Sequence, residues 1–264
     1  MHATNRLAIA VCLCLFLAAT LFLTYGGAFV SDDEVILFDA TESLARRGNL
    51  GLNLTVNLRD SPVLDSEPMQ AIAAAPLFWL VERVPGVGMA HGVLIFNNLV
   101  TSLTAGLFFL YATALGYRAG AAALAALLFG VATIAWPYSK AFFREPLTGF
   151  FLLLTAYALE RWRPAFAIRR AHRRWIALGG AAFVASLFTK EAILFALPAL
   201  VLLILPGITR PRRGRACRLV ARTPARDRRR PARHCRRRGL PGRVWVAGRS
   251  TGPACAAAPA RMAP

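Results

Sequence analysis

The sequence predicts an all-α fold, a polytopic membrane helical bundle with about six transmembrane helices. Its 264 residues are 56% hydrophobic and only 17% charged, whereas a soluble domain is about one quarter charged. The apolar residues form long runs of the kind that cross a bilayer. The formal net charge of +19 is concentrated at one end, since residues 210–264 hold 17 Arg, one acid and no Lys. The excess positive charge therefore belongs mainly to this C-terminal tail and does not indicate a nucleic-acid-binding domain.

The first predicted membrane helix covers residues 7–30, an apolar run preceded by Arg6. A cleaved signal peptide is the alternative interpretation. The run is longer than the usual hydrophobic region of a signal peptide, about 7–15 residues, and it has no clear small-residue cleavage site. We therefore expect a retained first helix.

An acid-rich outer loop is predicted over residues 31–70, which contain eight acidic residues and only three Arg. Within it, residues 34–47 have the apolar spacing of a short amphipathic helix, and Gly48 is placed to end that helix. Residues 71–81 are apolar but too short to span a bilayer, so we expect them at the membrane interface or partway into it.

Five further membrane helices are predicted after this loop. Their approximate bounds are 92–115, 119–136, 147–160, 175–189 and 192–208. With a cytoplasmic N-terminus and alternating crossings, Arg6, Arg118 and the Arg cluster at 161–174 fall on one side, and the acidic loop falls on the other. This agrees with the excess of Lys and Arg on the cytoplasmic side of membrane proteins. We therefore expect a multi-pass protein of the inner (plasma) membrane.

Three polar clusters are expected to emerge together on the outer face. They are Asp32 and Asp33 after the first helix, Lys140, Arg144 and Glu145 between helices three and four, and Lys190 and Glu191 between helices five and six. Charged groups near the hydrocarbon boundary are costly unless they are paired or solvated, so they often mark a functional site.

These residue types suit one kind of chemistry. An adjacent pair of carboxylates can supply a general base for a hydroxyl group, and nearby cations can bind and stabilise a departing phosphate. Structural interpretations remain open for each cluster. The Asp pair could be a solvated helix boundary, the cations could be interfacial anchors, Lys190 and Glu191 could form a local pair, and Glu145-Pro146 could simply begin a helix.

Three segments resemble a known superfamily. The outer segment 31–48, the WPYSK and REP sequences within 136–146, and the FTKE sequence at 188–191 are similar to motifs of GT-C type integral membrane glycosyltransferases. These include protein O-mannosyltransferases, aminoarabinose transferases and arabinofuranosyltransferase-like proteins. The similarity covers about residues 1–208, and its motifs are degenerate.

The resemblance implies a glycosyltransferase that takes sugar from a polyprenyl-phosphate carrier. Asp33 or Asp32 would be the catalytic base, and Lys140, Arg144 and Lys190 would contact the donor phosphate. Glu34, Glu145 and Glu191 would support these residues. No cofactor or metal site is predicted, although a divalent cation remains possible, and the acceptor is left open. The partners implied are the lipid-linked sugar and the bilayer.

The chain departs from the superfamily in two ways. Relatives usually have about a dozen membrane helices, whereas six are predicted here, and residues 210–264 are rich in Arg, Ala, Pro and Gly. This composition cannot bury a core and predicts disorder. Our hypothesis is that the tail is a frameshift product of a truncated gene copy, which the nucleotide sequence after the Thr209 codon would decide. An arginine-rich arm near anionic lipids or RNA is the alternative.

Two other functional classes compete with the enzyme. A transporter or flippase-like protein would carry ionisable residues near the middle of its spans, where this sequence has almost none. A non-catalytic membrane assembly protein is the third class. We also note Asn97-Asn98 within the second predicted span, which could pair with a neighbouring helix or face a donor cavity.

Overall fold

The computed structural model describes residues 3–53, 62–162 and 169–204. These residues are mostly helical, and the sole pairing of extended backbone among them is one antiparallel bridge between Gly51 and Val63. The chain divides into two units, residues 1–211 and 212–264. Every described residue belongs to the first unit, and the predicted disordered tail lies outside the described residues.

Two helices have the length and hydropathy needed to cross a membrane. Helix α1 covers Ala3–Leu23 and helix α4 covers Met89–Ala114, with mean hydropathies of 2.5 and 1.8 over their apolar stretches. The prediction of a first helix through residue 30 was too long. Gly27 adopts a positive φ of 68°, which turns the chain before the next helix begins at Asp32.

The other predicted spans form helices with different bounds. Helices α5 and α6 cover Ala119–Ala132 and Ala135–Ser139, α7 covers Glu145–Trp162, α8 covers Arg169–Leu187, and a 3-10 helix over Glu191–Ala196 leads into α9, Leu197–Ile204. Several of these apolar helices are short. The structure therefore supports a helical membrane protein, while the count of six crossings stays a prediction.

The acidic segment contains helix α2, Asp32–Arg47, which begins two residues before the predicted amphipathic helix. Gly48 ends it as expected, with a left-handed φ of 68° and its N–H bonded to the carbonyl of Leu44. The apolar stretch at 71–81 lies within helix α3, Met69–Glu82. Helix α3 packs on α2, and the Trp79 indole donates to the Ala45 carbonyl at 2.7 Å.

Two apolar clusters hold the helices together. One joins α2, α3, α4 and the start of α7 through residues that include Leu37, Phe78, Leu94 and Phe142. The other joins α1, α4 and α5 through residues that include Leu13, Phe109 and Ala126. Small residues allow close contact between helices, as is common in membrane bundles. At Gly106 an added Cβ would lie only 2.2 Å from the Cys14 Sγ.

Candidate active site

A polar cleft lies where the first turn of α2 meets the connection between α6 and α7. Helix α2 contributes Asp33 and Leu37, and the other wall is formed by Tyr138, Phe143, Arg144 and Glu145. The cleft therefore combines a carboxylate from one predicted polar cluster with a cation and a carboxylate from another.

Glu34 ties the two walls of the cleft together. Its side chain is completely buried. One carboxylate oxygen accepts a hydrogen bond from the Val30 N–H at 3.2 Å, and the other accepts one from the Phe142 N–H at 2.8 Å. Because buried backbone N–H groups need a partner, this carboxylate fixes the chain path on both sides of the cleft. Asp33, the residue before Glu34, lines the cleft together with Arg144.

Asn97 of helix α4 also holds this connection in place. Its buried amide donates to the carbonyls of Ala141 and Phe143, at 2.5 and 2.8 Å, and its oxygen accepts from the Gln70 amide at 3.2 Å. The helix-pairing interpretation of Asn97 is therefore the one that its contacts support. Together, Glu34 and Asn97 hold the backbone of residues 141–143, directly before Arg144.

Glu34→Gln is expected to lower stability. An amide cannot accept hydrogen bonds at both ends, so the Val30 or Phe142 N–H would face an NH₂ group and stay unsatisfied, at a cost of roughly 1–3 kcal/mol. Thermal unfolding of the full-length protein in detergent should show a midpoint lower by several degrees. Glu42→Gln is the matched control on the same helix, since its side chain is partly exposed and pairs with Arg46. Equal shifts for the two variants would contradict the assigned role of Glu34.

Arg144 is paired with a carboxylate from outside the cleft lining. Its guanidinium forms an ion pair with Glu67, and the second Glu67 oxygen accepts the Glu191 N–H at 2.9 Å. Both side chains are about one quarter exposed, at 25% and 24%. Glu67 therefore bridges the α6–α7 connection to the turn that follows α8.

The surroundings of Glu67 favour its charged form. Burial acts to raise the pKa of Glu67, but the N–H groups of Glu191 and of Glu67 itself, with the charges of Arg144 and Lys190, outweigh burial and lower it. Donors and cations that contact a carboxylate stabilise its ionised form. Glu67 is therefore an anion at neutral pH.

Lys190 reaches the same region from the turn after α8. Its Nζ lies 2.7 Å from a carboxylate oxygen of Glu145, and the two side chains are 41% and 40% exposed. The Met69 N–H also donates to the Phe188 carbonyl at 3.1 Å. Segments that are far apart in the sequence, 67–69, 144–145 and 188–191, thus meet beside the cleft.

The structure places some of the predicted site residues in the cleft lining and others outside it. Asp33, Arg144 and Glu145 line the cleft, Lys190 joins it through Glu145, and Glu191 supplies a backbone N–H. Asp32 is exposed, as is Asp33, but it is not among the lining residues. The Lys140 Nζ lies over the Trp136 ring, 5.6 Å from its centroid, and Lys140 likewise does not line the cleft.

Sequence reasoning did not select Glu67. It was one of eight acids in the outer segment, with no partner visible from spacing. One signal was available, a shared Glu-Pro pair at the start of a helix. Glu67-Pro68 directly precedes helix α3, and Glu145-Pro146 begins helix α7. Within the described part of the chain, no group of three or more His, Cys, Asp or Glu residues is arranged to hold a metal ion.

Comparison with known proteins identifies the family. The family model described as dolichyl-phosphate-mannose-protein mannosyltransferase matches residues 70–213, which is just over half of the chain. The match includes Lys140, Arg144, Glu145, Lys190 and Glu191, and it begins after Asp33. Neither the curated proteins nor the solved structures gave a significant match. The chain therefore belongs to the dolichyl-phosphate-mannose-protein mannosyltransferase family, a family of membrane glycosyltransferases.

Proposed function

We propose that this protein transfers a sugar from a polyprenyl-phosphate carrier to an acceptor hydroxyl on the outer face of the membrane. The family membership supports a lipid-linked donor in general. The observation that carries the proposal is the cleft itself, in which the Asp33 carboxylate and the Arg144 guanidinium share one lining. A base and a phosphate-binding cation in one cleft are what this transfer requires.

In the proposed reaction, Asp33 accepts the proton of the acceptor hydroxyl. The acceptor oxygen forms a bond to the anomeric carbon as the bond from that carbon to the phosphate oxygen breaks. The polyprenyl phosphate leaves as an anion. A positioned carboxylate acts as a general base when it lies within hydrogen-bond reach of the hydroxyl. Both aspartates are exposed, and the position of Asp33 in the cleft lining is what supports its assignment over Asp32.

The cations of the site stabilise the leaving phosphate. Arg144 offers a planar fork of N–H donors that matches phosphate oxygens, and Lys190 adds a second charge next to Glu145. Lys140 is the third proposed contact, although it lies outside the cleft lining and its ammonium packs over Trp136. Glu34 positions Asp33 and Phe142, Glu145 holds Lys190, and Glu191 contributes its N–H. The scheme assigns no step to a metal ion.

The proposed site faces the outside of the inner membrane. Arg6 lies in the first turn of α1, Arg118 directly precedes α5, and Arg161 lies in the last turn of α7, so basic residues gather on one side if the helices alternate from a cytoplasmic N-terminus. The cleft lies at the opposite ends of α1 and α7. The positive-inside tendency therefore supports an outer cleft.

An assay of donor consumption separates the enzyme from its rivals. Full-length protein in sealed vesicles is supplied with a radiolabelled polyprenyl-phosphate mannose, with and without Mg²⁺. Glycosyl transfer consumes the donor and releases polyprenyl phosphate. A transporter or flippase would move the intact donor across the bilayer, and a non-catalytic assembly protein would do neither. Intact donor after long incubation with varied acceptors would contradict the proposal.

A further inference from the structure

The cation proposed to bind phosphate already has an internal anion. Arg144 lines the cleft, but its guanidinium is engaged by Glu67, a residue outside that lining. The same Glu67 carboxylate also accepts the Glu191 N–H at 2.9 Å. One carboxylate therefore accepts from two donors, the Arg144 guanidinium in the α6–α7 connection and the Glu191 N–H in the turn after α8.

Phosphate oxygens compete for donors of this kind. Arginine forks and backbone N–H groups bind carboxylates and phosphates through the same charge-assisted hydrogen bonds. Lys190 also acts on Glu67, and together with Arg144 it helps to lower the pKa of this carboxyl group. The Glu67 carboxylate thus lies in an environment that would suit a phosphate group equally well.

The chain beside Glu67 is held by contacts that do not use the Glu67 side chain. The segment stays attached to the end of α8 through the Met69 N–H and the Phe188 carbonyl, at 3.1 Å. Helix α3 begins at Met69, directly after Pro68, and packs against α2 and α4. Rotation of one side chain would release Arg144, while the backbone on either side stays tethered.

We propose that Glu67 is a built-in counter-anion of the donor site, and that the phosphate group of the ligand displaces it from Arg144 and from the Glu191 N–H. This inference rests on the proposed function, because it takes Arg144 as a phosphate contact. The ligand chemistry is a phosphate monoester or diester. Glu67 thereby weakens the binding of other anions. A ligand binds only if its anion interacts with Arg144 and the Glu191 N–H more strongly than the Glu67 carboxylate does.

The test measures phosphate binding to full-length protein in detergent. The variants are Glu67→Gln and, as a matched control, Glu82→Gln, which removes a carboxylate paired with Arg46 at the far end of α3. The probes are farnesyl phosphate and inorganic phosphate, titrated by calorimetry. Because the amide removes the competing charge, Glu67→Gln should bind farnesyl phosphate about tenfold more tightly, which corresponds to about 1.4 kcal/mol, and Glu82→Gln should match the wild type.

The two probes distinguish the source of the phosphate. A gain with farnesyl phosphate alone assigns the site to a lipid-linked phosphate, and an equal gain with inorganic phosphate assigns it to phosphate in general. Unchanged or weaker binding by Glu67→Gln would overturn the counter-anion role and make Glu67 a fixed structural clamp. If Glu67→Gln does not fold, Glu67→Ser removes the same charge and carries the same expectation.

Arg144→Gln separates this inference from the proposed function. If wild-type binding of farnesyl phosphate depends on Arg144 and Glu67→Gln shows no gain, the counter-anion role alone is wrong. If Arg144→Gln binds farnesyl phosphate as tightly as the wild type, Arg144 is not a phosphate contact. Both its role in the proposed function and the counter-anion role of Glu67 are then overturned.

Discussion

Asp33→Asn should lower the rate of sugar transfer by about 10²–10⁴-fold, the contribution typical of a positioned general base. Asparagine keeps the size and shape of the side chain but cannot accept the proton of the acceptor hydroxyl. The loss should appear in kcat, because in the proposed reaction donor binding depends on Arg144 of the other wall and on Lys190 beside Glu145. Farnesyl phosphate should therefore bind Asp33→Asn with nearly wild-type affinity.

Asp32→Asn is the control for this experiment. It makes the same chemical change one residue away, in the same first turn of α2, at an exposed position outside the cleft lining. Its transfer rate should stay within a few-fold of the wild type. A larger loss in Asp32→Asn than in Asp33→Asn would reverse the assignment, and full activity in both would remove the carboxylate base from the mechanism.

Arg144→Gln should lower transfer by about 10²–10³-fold, the usual effect of removing a donor that stabilises developing negative charge. In the proposed reaction the guanidinium carries the charge that meets the departing phosphate, and glutamine supplies one neutral amide in its place. Lys140→Gln is the comparison, since its ammonium packs over Trp136 outside the cleft lining. We expect Lys140→Gln to lose less than tenfold.

A double variant removes an ambiguity in this result. Arg144→Gln leaves the Glu67 carboxylate without its guanidinium partner, and repulsion between that carboxylate and the donor phosphate could itself slow the reaction. In Arg144→Gln combined with Glu67→Gln, this repulsion is gone. Activity should remain low if Arg144 acts on the phosphate directly. Recovery to near the wild-type rate would show that Arg144 serves only to neutralise Glu67.

Local features of the fold were predictable where a single residue type determines them. Gly48 ends α2 because glycine adopts the left-handed conformation without steric cost, and Glu145-Pro146 begins α7 as its composition suggests. The first helix was predicted too long because residues 24–30 remain apolar, and hydropathy does not register the turn at Gly27. The chain changes direction at Gly27, although the side chains before and after it are similarly apolar.

The meeting of three polar clusters followed from helix counting, but their pairing did not. Glu67 and Arg144 are 77 residues apart, and Glu67 and Glu191 are 124 apart. No local pattern selects one acid among eight as the partner of a distant arginine. Glu34 was expected only as a supporting residue, and its bond to the Phe142 N–H likewise depends on the position of α2 against the α6–α7 connection, which spacing does not encode.

Cysteine accessibility in sealed, right-side-out vesicles tests most directly whether the cleft and the turn after α8 share the outer face. In a background with the native cysteines replaced, single cysteines are placed at Asp33, at the exposed Glu191 and, as an inner-face control, at the exposed Arg161 near the other end of α7. An impermeant maleimide should label the first two positions before lysis and Arg161 only after it. Labelling of positions 33 and 191 from opposite sides of the bilayer would contradict the account.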